Sequence, residues 1–139
     1  MRIRTILTGF GLALAVVGAA AAQASIADLM KHEVNPAALA FWAAGNDPPE
    51  NETTAAAQAR WRAAEAGVKT LKAEGARMQA PPYVLPGRWA EYAQAMADTA
   101  ASAEGAIRAR DAEAAFEAGG RLYDSCNGCH KAYAPSRGG

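Results

Sequence analysis

Apolar side chains recur three and four residues apart through most of this chain, which is the period of helices with one buried face. The first such stretch runs from Ser25 to about Ala44, with Ile26, Leu29, Met30, Val34, Ala37, Ala38, Phe41 and Trp42 on its stripe. Ser25 with Asp28 three residues on marks its start, and Gly45 followed by Asn46, Asp47, Pro48 and Pro49 marks its stop. Pro36 falls inside the stretch and removes one hydrogen bond. The pattern therefore predicts a kinked helix, or two short helices meeting at Asn35.

The second stretch runs from about Thr54 to Met78, capped by Thr53 or Thr54, with Ala57, Trp61, Ala64, Val68, Leu71, Gly75 and Met78 alternating spacings of four and three. That is heptad packing at a shallow angle. Pro81, Pro82 and Pro86 forbid helix in the loop that follows. A third helix is predicted from about Gly87 to Ala109, with Trp89, Tyr92, Met96, Thr99, Ala103 and Ile107 inward. A fourth follows Arg110, with Asp111 as N-cap, and reaches about Tyr133 with Ala115, Phe116, Gly119, Tyr123, Cys126 and His130 inward. Gly119-Gly120 in its middle costs stability, so either another group comes close there or the pair is merely tolerated.

No stretch alternates as a strand would. Four helices with short or proline-marked links predict an all-α fold, an antiparallel up-down-up-down four-helix bundle. In that topology the start of the first helix lies level with the end of the fourth. Met30, the end of the second helix at Met78, and Trp89 and Tyr92 of the third then share one end with His130, while Met96 is expected further along.

Residues 1–24 have a different character. Arg2 and Arg4 precede an apolar run from Ile6 to Val17, and Ala20-Ala21-Ala22 and Ala22-Gln23-Ala24 both fit a small-x-small cleavage site. This predicts a secretory signal peptide, and the run is short for a retained membrane anchor. The remaining domain, residues 25–139, is expected in the oxidising periplasm with no stable membrane insertion. The full chain carries 14 basic and 14 acidic residues, so losing Arg2 and Arg4 leaves 12 against 14. A mildly acidic product without a basic run argues against a nucleic-acid partner.

The candidate chemistry sits near the C-terminus, in Cys126-Asn127-Gly128-Cys129-His130. On a helix the two thiols at i and i+3 and the imidazole at i+4 share a face that can hold one flat ligand. Each thiol can add across one haem vinyl group to form a thioether, and the imidazole can donate a nitrogen to the iron. A Cys-x-x-Cys pair also serves as a redox dithiol, a structural disulfide or half a zinc site. The dithiol wants a βαβ context, and zinc wants more ligands than His32, the only other histidine, would supply. The histidine directly after the second cysteine favours covalent haem c.

For the opposite side of the iron, Met30 lies on the inward stripe, and His32 points about 200° away from it. On spacing alone Met30 is either a ligand or core filler. Met78 is a rival at the same end.

These features resemble the class II c-type cytochromes, the cytochrome c-prime and cytochrome c556 group, over essentially all of residues 25–139. The four-helix pattern, the Cys126-to-His130 motif in the last helix and Tyr133 three residues after the histidine carry the resemblance. Low-spin members hold a methionine of the first helix as sixth iron ligand, whereas five-coordinate members have an apolar residue there. Leu29-Met30 followed by Pro36 and Trp42 is similar to the low-spin kind. The resemblance implies a non-enzymatic electron carrier with His130 and Met30 on the iron, redox partner proteins in the periplasm, and a homodimer through helices one and two. One position departs from the group. An arginine often follows the aromatic; here Ala134 stands there and Arg137 is the nearest arginine. A five-coordinate binder of nitric oxide or carbon monoxide is the alternative, and a thiol-disulfide or zinc protein is a remote one.

Export can be checked on protein recovered from the periplasm of a secreting host. N-terminal sequencing should begin at Gln23 or Ser25, and a product still starting at Met1 contradicts a cleaved leader.

Overall fold

The computed structural model describes residues 26–134, so the leader, the Ser25 cap and Arg137 lie outside the described residues. Among the described residues all regular structure is helical. A π-helical turn at Met30–Val34, itself preceded by helix at 26–29, leads into α1 (Asn35–Gly45). Three longer helices follow, α2 (Thr54–Arg77), α3 (Trp89–Ala109) and α4 (Ala112–Tyr133). The four helices pack in a ring, α1 on α2, α2 on α3, α3 on α4 and α4 back on α1. No helix among the described residues is long and apolar enough to cross a membrane.

The π turn is the local consequence of Pro36. Proline cannot donate to the carbonyl four residues back, and its ring crowds that carbonyl. The chain relieves this by widening the turn before it, so that the Asn35 N–H bonds the Met30 carbonyl five residues back. Pro36 is then left in the first turn of α1, where a missing donor costs nothing. The helix changes type at Asn35 and does not break there.

The other boundaries follow from caps. The Thr53 hydroxyl accepts from the Ala56 N–H at 3.2 Å, and the Asp111 carboxylate accepts from the Ala114 N–H at 3.0 Å. Arg110 adopts a left-handed conformation (φ 55°), and its N–H and that of Asp111 turn back to the Ile107 and Ala106 carbonyls. This Schellman-type turn lets only two residues, Arg110 and Asp111, separate α3 from α4. At the far end of α1, Arg60 of α2 donates to the Ala43 and Ala44 carbonyls while both its other arms bind Glu52, at 2.8 and 2.9 Å. One guanidinium thus satisfies the orphan end of α1 and ties it to α2.

The core is thin, as the alanine content predicts. Its largest fully buried side chains are Phe41, Leu71, Met78, Leu122 and Val68, and alanines fill most of the remainder. At roughly 0.8 kcal/mol per buried methylene, close backbone contact has to supply what side-chain bulk does not. Two glycines permit it around α1, and Gly75 does so between α2 and α3, where a Cβ would come within 2.7 Å of the Ala93 carbonyl oxygen. A Cβ on Gly67 would run into the Ala37 carbonyl oxygen, and one on Gly45 would come within 2.5 Å of the Phe116 nitrogen. Both contacts clamp α1, the first to α2 and the second to α4.

The inward face of α4 differs from the predicted one. Ala115, Ala118, Gly119, Leu122 and Cys129 are buried, whereas Phe116, Tyr123 and His130 are exposed. Gly45 draws the start of α4 so close that only alanine and glycine fit in the seam, and the aromatic stripe one residue over is turned out.

Gly67→Ala should therefore destabilise the protein by about 1 to 3 kcal/mol in urea unfolding, the usual cost of overpacking. Gly105→Ala, where a Cβ meets nothing within 4 Å, should be neutral or stabilise by up to about 1 kcal/mol. Equal effects at the two sites would contradict this account of the α1 and α2 contact.

Candidate functional site

Two adjoining cavities lie where the π turn meets the last third of α4. The inner one, about 110 Å³, is lined by Met30, Trp42, Met78, Tyr92 and Met96 together with Cys126, Cys129 and His130. The outer one, about 610 Å³, is lined by Ile26, Met30, Lys31, Leu85, Trp89 and Tyr133 together with Cys129 and His130. Its size falls within the roughly 300 to 1,000 Å³ of small-molecule and cofactor pockets. Met30, Asn35, Cys129 and His130 border both.

The structure thus brings the sequence-predicted residues Cys126, Cys129, His130 and Met30 to one place. Cys129 is buried, Cys126 and Met30 are half-buried, and His130 stands exposed at the rim. His32 is exposed and lines neither cavity. Met78 borders the inner cavity, as its position at the end of α2 predicts. Met96 borders it too, contrary to the expectation of a deeper position, because the inner cavity reaches two turns into α3 beyond Trp89. Leu29 and Leu71 are packed in the core and line neither cavity.

An aromatic cluster fixes the floor. Trp89 and Tyr133 meet edge to face at 5.1 Å between ring centroids, and Tyr92 meets Tyr133 in the same way at 6.1 Å. The Tyr133 hydroxyl donates to the Pro86 carbonyl at 2.8 Å, and the Trp89 indole N–H donates to the Met78 carbonyl at 2.8 Å. The proline loop is thereby pinned under the cavity, with Leu85 in its wall. Arg88, beside this cluster, lies over the Tyr92 ring at 5.5 Å and pairs with Glu91.

Asn35 and Lys31 are lining residues that helical spacing did not single out. In a regular helix residue 35 would turn about 140° from residue 30. The π turn stacks the two, and Pro36 is the only sequence signal for it. Ser125 is another: its hydroxyl is buried against the inner cavity with no hydrogen-bond partner.

The two cysteines are free thiols. Burial pushes both above the ordinary thiol range, opposed at Cys126 by a backbone hydrogen bond and reinforced at Cys129 by its neighbour Cys126. Activated redox thiols are shifted the other way, usually by a helix N-terminus or a cation, and these two sit in the C-terminal third of α4. Among the described residues no three His, Cys, Asp or Glu side chains converge to hold a metal ion between them. The donors present are instead two neutral thiols, one imidazole and the thioethers of Met30, Met78 and Met96 around a largely apolar space. That set fits a flat tetrapyrrole attached at its edge and ligated at its centre. Comparison with family models, curated proteins and solved structures finds no match to this chain.

Protonated thiols are expected to react slowly. Iodoacetamide labelling of the reduced protein should keep accelerating above pH ~8.5, the ordinary thiol value. Because the folded state holds these protons more tightly than the unfolded chain, the stability they contribute is fully present below that pH and is lost as pH rises above it through the raised folded-state value. A labelling rate that levels off below pH ~7 would instead mark an activated dithiol.

Proposed function

We propose that the protein is an exported monohaem c-type cytochrome of the class II kind, acting in electron transfer. Haem c would be held through Cys126 and Cys129, with His130 and Met30 as the side chains that would ligate its iron. The observation that carries the reading is the convergence on one cavity of four residues that span nearly the whole described chain. When bound, the haem supplies a one-electron couple at its iron.

The chain's own residues have separate tasks in this reading. Cys126 and Cys129, protonated and lining the cavity, would be the attachment points, and His130 at the rim would supply the nitrogen ligand to the iron. Met30 would supply a sulfur ligand to the iron, held by the π turn in which its own carbonyl accepts from the Asn35 N–H. Sulfur and imidazole ligation together would favour the reduced state over a pair of nitrogen ligands. Trp89, Tyr92, Tyr133 and Met96 exclude water and act in the same direction.

The finer architecture belongs to the same proposal. The four helices run alternately up and down, after a cleaved leader at residues 1–24 that delivers the chain to the periplasm. The ring of sequential contacts and the tight turn at Arg110 support it. Periplasmic redox proteins are the partners, met through weak and brief contacts, and a second copy along helices one and two is a further one.

Optical spectroscopy of protein made in a host able to attach haem tests the axial assignment. The ferric form should be low-spin with a near-infrared sulfur-to-iron band, and Met30→Ala should convert it to high-spin. A high-spin spectrum in the unaltered protein would replace the carrier with a five-coordinate binder of nitric oxide or carbon monoxide. An unchanged spectrum in Met30→Ala would move the ligand to Met78 or Met96.

A further inference from the structure

On the other side of Trp42 lies a second feature, which the proposed chemistry does not use. A groove of about 460 Å³ runs between α1 and α4, lined by Leu39, Trp42, Phe116, Gly119, Gly120 and Tyr123 among others. Leu39, Phe116 and Tyr123 are 56%, 64% and 59% exposed, unusually open for large apolar side chains gathered in one place. Trp42 forms the floor. Its indole N–H donates to the Gly119 carbonyl at 2.9 Å, and a Cβ on Gly119 would come within 2.9 Å of the ring. At Gly120 a Cβ would meet nothing within 4 Å, so that position leaves the groove open. The glycine pair in mid-helix thus has a use at each member, one admitting the indole and the other keeping the floor clear.

Trp42 also lines the inner cavity, beside Cys126, Cys129 and His130. One indole therefore separates the groove from the donor set. The rim has a sign as well. Exposed Asp47, Glu113, Glu117 and Asp124 flank the apolar strip on α4 and after α1. Arg60, the cation next to Ala43, is already bound to Glu52, and Arg121, about 40° beyond Glu117 around α4, sets one cation against these four carboxylates. A second copy docked here about a two-fold axis would set this acidic rim against itself.

We infer that this groove is the docking face for a redox partner whose contact surface is apolar at the centre and ringed by lysine or arginine, with Trp42 as the passage between partner and haem cavity. The inference rests on the haem reading for its redox part; the surface itself does not. A strip of three exposed side chains with a charged rim suits the small interfaces of electron-transfer encounters.

The test uses the mature holoprotein and mitochondrial cytochrome c as a lysine-rich redox probe. Stopped-flow electron transfer should fall about tenfold in Phe116→Ser and in Tyr123→Ser, the scale of losing one buried anchor, and stay within about twofold in Val84→Ser, an exposed apolar control elsewhere. Glu117→Lys should slow the reaction at low salt and flatten its salt dependence. Equal effects in the groove and control variants, with the haem spectrum intact, would overturn the inference. Amide chemical-shift mapping of the same titration separates it from the haem reading. Shifts confined to Leu39, Phe116 and Tyr123 in colourless protein would sink the haem and keep the surface. Shifts elsewhere in coloured protein would do the reverse. Groove shifts that appear on concentrating the protein alone would assign the face to a second copy and overturn the inference.

Discussion

How closely two helices approach is set by the side chains between them, and this protein uses the smallest ones to hold α1. Gly67 brings the α1 backbone onto α2, and Gly45 brings its end onto α4. With α1 clamped at those two points, its leading turn is carried over the C-terminal part of α4. There Met30 borders the same space as His130. The aromatic cluster of Trp89, Tyr92 and Tyr133 does the opposite at the cavity, where bulk and a pinned proline loop leave a lined void in place of a closed seam.

The π turn and Trp42 show how one helix serves two surfaces. Pro36 forces the wide turn that stacks Asn35 over Met30 on the cavity side. Two turns later, Trp42 is shared between that cavity and the outer groove. An indole anchored to the Gly119 carbonyl is a rigid wall, and a rigid wall keeps an apolar site dry while remaining thin. The exposed strip of Leu39, Phe116 and Tyr123 is otherwise costly to solubility, so its position opposite the donor set is informative.

The helices were legible in the sequence because their signals are local. Thr53 and Asp111 cap as their side chains suggest, Gly45 ends α1, and three prolines keep 80–87 out of helix. The motif from Cys126 to His130 was legible for the same reason, since a fixed spacing on a helix fixes a face. What failed was rotation and depth. Both the stripe through Phe116 and Tyr123 and the one through Ala118 and Leu122 satisfy three-four spacing. Preference for large residues picked the wrong one, because the backbone contact at Gly45 admits only small residues. The same limit hid Lys31, Asn35 and Leu85, which meet the donor set only through tertiary contact. It also put Met96 too deep, because the reach of a cavity depends on how far its walls stand apart.

The central claim is a covalent one, that a porphyrin is joined to α4 through two sulfurs. Mass spectrometry of the tryptic peptide 122–131 from protein matured in a host with working haem-attachment machinery tests it most directly. The account predicts a peptide heavier by one haem, resistant to acid–acetone extraction, with both cysteines blocked to alkylation. An unmodified peptide whose two thiols label freely, or are joined only to each other, would contradict it.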